Sequence, residues 1–304
     1  MSSAEEYSEG RGRVGGIELA YETFGARLDP PVLLIMGLGM QMLAWPDDLC
    51  RFLAARGLHV IRFDNRDIGL STHLRDAPRA DVIAAFRGDT TTAAYTLSDM
   101  AADTAGLLEA LGHESAHVVG ASMGGMIAQT LAIEHRERVR SLTSIMSTTG
   151  DPRVGTATQA AAAVLLAPPA TSRDGAVGRA VSAGRVIGSP GFPFDEPAIR
   201  DRAARAYDRA YDPPGVARQL VAVLASGDRT GRLRRLRMPT LVIHGADDPL
   251  VDVSGGRATA AAIPGAELVV LDGMGHDLPR ELWPALADRI GGMVERVERA
   301  RVRA

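Results

Sequence analysis

Residues 116–135 read AHVVGASMGGMIAQTLAIEH, and the order of its parts decides how the whole chain is read. Ala116 to Gly120 is a short apolar run, as a buried strand would be. Gly120-Ala121-Ser122-Met123-Gly124 has the form G-x-S-x-G. Gly124 to His135 reads as a helix. A serine on a sharp strand-to-helix turn needs flanking glycines, so that the neighbouring backbones do not collide. Its hydroxyl then projects at a helix N-terminus, where free N–H groups and the helix dipole favour negative charge. The five letters alone equally describe a glycine-rich turn with a serine N-cap. The strand before and the helix after favour a nucleophile at Ser122.

A serine hydroxyl is a weak nucleophile and needs a hydrogen-bonded base, oriented in turn by a third group. Seven histidines are available. His59 opens a strand, His113 and His117 flank one, and His135 ends a helix; these positions suit structural bonds. His73 lies in a loop and stays undecided, and His244 ends a strand as a packed residue would. His276 stands in Gly273-Met274-Gly275-His276-Asp277, a glycine-rich loop just after the last strand, and is the expected base. The orienting acid is expected between serine and histidine in chain order. His244-Gly245-Ala246-Asp247-Asp248-Pro249 ends the penultimate strand there, with Asp248 preferred and Asp247 expected to cap the turn before Pro249. The backbone N–H groups of Met123 and of Leu38, in Met36-Gly37-Leu38-Gly39-Met40, are the expected oxyanion donors.

Outward from this centre the chain keeps an α/β rhythm. Val14 to Phe24 reads as a hairpin or two short strands. Strands follow at Pro31 to Met36, His59 to Phe63, Ser141 to Met146, Thr240 to His244 and Glu267 to Leu271. Helices are expected at Pro46 to Arg56, at Thr96 to Leu111 with Thr96 and Asp99 as a capping box, and at the C-terminus. Such alternation predicts a mostly parallel, doubly wound sheet. Thr148 to Arg237 breaks it with Ala- and Arg-rich helical stretches and no convincing strand. The expected organisation is a core of 1–147 and 238–304, with 148–237 as a helical cap over the strand ends. Both junctions of the cap should lie on the side that carries Ser122, because sites in open α/β sheets lie at strand C-termini.

Composition narrows the function. The 304 residues carry 34 basic and 37 acidic groups, a net charge of −3. A nucleic-acid partner would call for a basic excess. Every basic residue is arginine, which excludes a P-loop lysine, a Schiff-base lysine and a Ser–Lys dyad. The single cysteine, Cys50, excludes an internal disulfide and a cysteine metal cluster. The loop after Met36 lacks the third glycine of G-x-G-x-x-G, which argues against a dinucleotide. No cofactor, no metal and no membrane span are expected, and the absence of a signal-like N-terminus gives a cytoplasmic expectation. Met40, Trp45, Met146, Phe192, Phe194, Tyr207 and Tyr211 are the candidate substrate contacts, suiting a small hydrophobic ester. Arg229 to Arg237 is expected to be a solvated face.

Gly120–Gly124, Asp248 after Gly245, and His276 before the last helix resemble the α/β-hydrolase fold superfamily over nearly the whole chain. Asp64-Asn65-Arg66-Asp67-Ile68-Gly69-Leu70-Ser71 is similar to that superfamily's bracing strand-turn segment. Met36-Gly37, Ala44-Trp45-Pro46-Asp47, His59 to Asp67 and Ser71-Thr72 resemble, more narrowly, the aclacinomycin methylesterase group, which hydrolyses a methyl ester on an anthracycline. The resemblance implies a serine carboxylic-ester hydrolase working through an acyl-enzyme, on a methyl ester of a polyketide-like compound. Ser122 argues against dehalogenase and epoxide-hydrolase branches, which resemble relatives with a carboxylate at that place. The same triad also serves lactonases, C–C bond hydrolases and perhydrolases, and a ligand receptor could retain it.

Overall fold

A computed structural model describes residues 7–303. Eight strands form one sheet: β1 Tyr7–Val14, β2 Ile17–Phe24, β3 Pro31–Ile35, β4 His59–Phe63, β5 Ala116–Ala121, β6 Val139–Ile145, β7 Thr240–Gly245 and β8 Glu267–Leu271. Their order is β1-β2-β4-β3-β5-β6-β7-β8. From β4 to β8 all neighbours are parallel, while β1 and β2 add an antiparallel margin. The doubly wound α/β expectation is borne out. The hairpin starts earlier than the sequence suggests, at Tyr7, because β1 is an exposed edge strand with almost no apolar signal.

The helices are α1 Asp47–Ala54, α2 Val82–Phe86, α3 Leu97–Ala110, α4 Met123–Glu134, α5 Gln159–Leu165, α6 Arg173–Ile187, α7 Glu196–Arg209, α8 Pro213–Ser226, α9 Thr230–Leu233, α10 Ser254–Ala262 and α11 Trp283–Val302. The Thr96/Asp99 capping box is present at α3. Short α2 and glycine-containing α10 lack an apolar period and went unexpected. Helices cover both faces, so β3 and β5 are buried throughout and read as unbroken apolar runs. Their side chains alternate between two cores. Leu33, Ile35 and Val118 face Met100, Leu107 and Ile127 of α3 and α4. Val32, Leu34 and Val119 face Leu49, Leu53, Ile290 and Val294 of α1 and α11. Each buried Leu or Ile contributes roughly 1.5–3 kcal/mol, so these clusters fix the strand ends within a rigid frame.

Helices α5–α9 all fall between β6 and β7. A neck closes where the chain leaves and returns. The Arg229 backbone N–H donates to Thr149 O (2.9 Å), and its side chain donates to Thr148 O (2.9 Å) and Gln129 Oε1 (3.2 Å). Beyond it, α9 packs against α4 and α10, and Leu233 and Leu236 join the main core. Because β7 is parallel to β6, the chain must travel this way to the opposite sheet edge. Arg229 is therefore no part of a solvated face: it is 1% exposed, and burial pushes its guanidinium down to about 10.

Among the buried polar groups, His117 is held by Ser141 Oγ (2.8 Å) and Glu298 Oε1 (3.0 Å). Burial pushes its imidazole down to about 4, against the pull of Glu298; His113 is lowered in the same way, to about 4. The unfolded chain therefore binds more protons than the folded one between roughly pH 6.5 and 4. Stability should fall as pH drops through that window, by at most about 1.4 kcal/mol per pH unit for each group. Urea unfolding at pH 7 and pH 5 reads the loss, and His117→Gln should flatten it.

Candidate active site

Ser122 sits between β5 and α4 with φ 56° and ψ −122°. Side chains are excluded on either side of it. A Cβ on Gly120 would lie 2.1 Å from Gly124 O, and one on Gly124 would lie 2.1 Å from Ile35 O. The turn is held by the Ser122 N–H donating to Ile145 O (2.9 Å) and Ser147 Oγ donating to Ser122 O (2.8 Å).

Three loops at the C-terminal ends of strands meet at this serine. His276, after β8, places Nε2 3.0 Å from Ser122 Oγ and Nδ1 2.7 Å from Asp248 Oδ2. Asp248 follows β7, and its other oxygen accepts from the N–H groups of Leu250 and Val251, both at 2.9 Å. Burial pushes the Asp248 carboxyl up, but hydrogen bonds from His244 and His276, with the His276 charge, outweigh it and hold the group well below the usual range. Asp247 does not cap the turn before Pro249. Asp248 itself does so, and Asp247 instead accepts from Gly273 N (2.8 Å), tying β7 to the histidine loop.

The third loop is the turn after β3. A Cβ on Gly37 would lie 3.0 Å from Ser122 Cβ, so Leu38 adjoins the serine. Gly39 N donates to Gln219 Oε1 (3.0 Å) on α8, which pins the turn. Met123 opens α4, and the first N–H groups of a helix lack intrahelical acceptors.

Three further contributors lie outside the residues expected to form the site. His244 is fully buried, donates from Nε2 to Val251 O (2.7 Å) and lies 3.5 Å from Asp248 Oδ2. Ser189, between α6 and α7, donates to the Asp277 carboxylate and accepts from Gly275 N (2.8 Å). The His276 N–H donates to Ile187 O at 2.7 Å. Gly191 and Gly273 meet backbone to backbone: a Cβ on Gly191 would lie 2.5 Å from Gly273 Cα. The helical insertion therefore grips the histidine loop directly. A half-buried serine beside a half-buried acid leaves no sequence pattern that would have announced this.

Of the candidate substrate contacts, the structure brings Met40, Tyr207 and Tyr211 together around one cavity. Trp45 and Met146 lie within the core cluster, 1% and 4% exposed, and Phe192 packs against the same cluster. Phe194 stands under the Arg185 guanidinium, 4.7 Å away, at the outside of the insertion. Core and surface packing claim these four.

Asp67, His73 and Asp212 approach closely enough to hold a cation. However, Asp67 already takes a two-pronged ion pair from Arg218 (2.7 and 2.8 Å) and the Tyr95 hydroxyl (2.8 Å). Asp212 holds His73 at 2.6 Å. A metal there would sit beside a guanidinium, so this donor set does not fit one. Among the described residues no helix is long and apolar enough to cross a membrane.

Residues 30–183 match the family described as alpha/beta hydrolase fold. Over 295 residues the chain is 31% identical to the rhodomycin D methylesterase of Streptomyces sp. (strain C5), covering 90% of this chain and 94% of that one. It is 27% identical over 256 residues to 3-oxoadipate enol-lactonase 2 of Acinetobacter baylyi, covering 84% and 85%. Among solved structures, the enol-lactonase from Burkholderia xenovorans LB400 superposes with a TM-score of 0.71 at 24% identity, over 94% of this chain and 100% of that one. Matches of this extent leave one conclusion, that the chain belongs to the alpha/beta hydrolase fold family.

Proposed function

We propose that Ser122, His276 and Asp248 form the catalytic triad of a serine carboxylic-ester hydrolase. The observation that carries this reading is the chain of contacts Ser122–His276–Asp248, at 3.0 and 2.7 Å, on a strand-to-helix elbow. Ser122 Oγ attacks the ester carbonyl while His276 Nε2 takes its proton. The resulting imidazolium is stabilised by Asp248, which also fixes the tautomer through Nδ1–H. The N–H groups of Met123 and Leu38 hold the tetrahedral oxyanion. His276 returns the proton to the leaving alcohol, and a water activated by the same imidazole releases the acid. Each step closes with these groups and water.

Helices α5–α8 act in this reading as a lid that excludes water and strengthens the oxyanion contacts. The ester is hydrophobic and small enough for one cavity. A methyl ester is preferred because the rhodomycin D methylesterase shares 31% of its residues across nearly the full length. A lactone is the second reading, favoured by the likeness to 3-oxoadipate enol-lactonase 2 at 27% identity.

A fluorophosphonate should add once per chain, at Ser122, and Ser122→Ala should lose on the order of 10⁴-fold or more in kcat. Labelling at another residue, read by peptide mass spectrometry, would move the nucleophile. The two neighbouring acids give a sharper comparison. Asp248→Asn should lower kcat by roughly 10⁴-fold, as in the serine-protease precedent, because the imidazole is left in the wrong tautomer. Asp247→Ala, which removes the acceptor of Gly273 N, should cost about 0.5–1.5 kcal/mol in stability and comparatively little turnover. Steady-state kinetics beside urea melts would expose a reversed ranking.

A further inference from the structure

A cavity of about 170 Å³ lies between the 37–44 loop and the helices of the insertion. Gly39 in its wall belongs to the turn whose Gly37 lies against Ser122. Its surroundings are mostly apolar, with Met40, Leu43, Ala203 and Val216 among them. Its polar groups divide sharply. The acceptors are engaged by the protein: Asp67 by Arg218 and Tyr95, Asp212 by His73, and Gln41 Oε1 by Arg209 at 2.6 Å. The Tyr211 hydroxyl donates to Ala170 O (3.0 Å). Two donors remain, the Arg202 guanidinium and the Tyr207 hydroxyl. Neither has a hydrogen-bond or ion-pair partner among the described residues. Both line the cavity, and both lie on α7. Asp277 and Asp195 pull on the Arg202 charge from a distance, but burial dominates and pushes its guanidinium below the usual arginine value.

Both residues are half-buried, so water still reaches these donors, and an anionic acceptor on a molecule in the cavity would replace that water with a charge-assisted hydrogen bond. The planar fork of a guanidinium matches two oxygens at once. We infer that this cavity receives the body of an ester whose skeleton bears, away from the scissile bond, an anionic oxygen — a carboxylate or an ionised phenol — held by Arg202, with Tyr207 as a second donor. The inference rests on the hydrolase reading above and names the substrate class for that site.

The test compares matched esters in wild-type protein. The monomethyl ester of a naphthalene dicarboxylic acid is set against its neutral carboxamide. A methyl nitro-hydroxybenzoate, ionised at pH 8, is set against its O-methyl ether. The charged member of at least one pair should be favoured by about 10- to 100-fold in kcat/KM, the range expected for a charge-assisted hydrogen bond. Which pair shows the preference separates the carboxylate source from the phenolate source. In Arg202→Met the ratio should fall to near one. Arg202→Lys should keep part of it, and Tyr207→Phe should lower it several-fold. The ratio is taken within each preparation, so partial misfolding cancels. Equal turnover of both pairs by the wild type, or a preference that survives Arg202→Met, would overturn the subsite while leaving the hydrolase reading intact. If no ester of either pair turns over, calorimetric binding of the same esters to Ser122→Ala reads the same ratio. Failure of the fluorophosphonate to label Ser122 is the separate signature of a failed hydrolase reading.

Discussion

The arrangement around Ser122 depends on one close approach of bare backbone. β3, β5 and the start of α4 meet at Gly120 and Gly124, where an added Cβ would fall on a carbonyl oxygen. That contact leaves Ser122 at φ 56°, a conformation costing on the order of 1–3 kcal/mol for a residue with a side chain. The cost is met by packing on both faces of the sheet, since β3 and β5 are buried from end to end. The same contact sets the turn after β3 beside the serine. The hydroxyl, the helix N-terminus and the turn after β3 therefore form one rigid unit before any loop from β7 or β8 arrives.

Much of this is legible in the sequence because it follows from local chemistry. Apolar runs ending in glycine give the parallel strands, and the G-x-S-x-G between strand and helix gives the elbow. Asp248 and His276 can be singled out because strand ends converge on one edge of a parallel sheet. What escapes the sequence is long-range pairing of polar groups. Nothing near Arg229 predicts that its charge closes a neck on the carbonyl of Thr148 and the side chain of Gln129. Nothing near Ser189 predicts its grip on Gly275 and Asp277. Trp45 and Phe192 carry the same apolar character whether they line a pocket or fill a core, so residue type alone could not sort them.

The insertion is fastened to the core by ions and amides as well as by oil. Arg218 pairs with Asp67, Arg209 with Asp64 at 2.9 Å, and Gln219 spans Gly39 N and Arg66 O. Asp64 and Asp67 are fully buried. Buried pairs of this kind add little net stability, because desolvation offsets the attraction, yet losing one partner is expensive. Their effect is to specify a single docking of α7 and α8 over the turn that carries Leu38.

The backbone contact between Gly191 and Gly273, with Ser189 astride Gly275 and Asp277, has an evolutionary consequence. The 188–191 stretch and the loop that carries His276 share a seam too narrow for side chains. Drift in the 188–191 stretch is therefore drift in the seat of the imidazole, and a 188–191 segment borrowed from a relative would bring its own histidine geometry with it. On the far side Met40, Arg202 and Tyr207 face a cavity instead, and their side chains can change without touching that seam. The insertion thus has one edge locked to the histidine loop and one face open to a cavity.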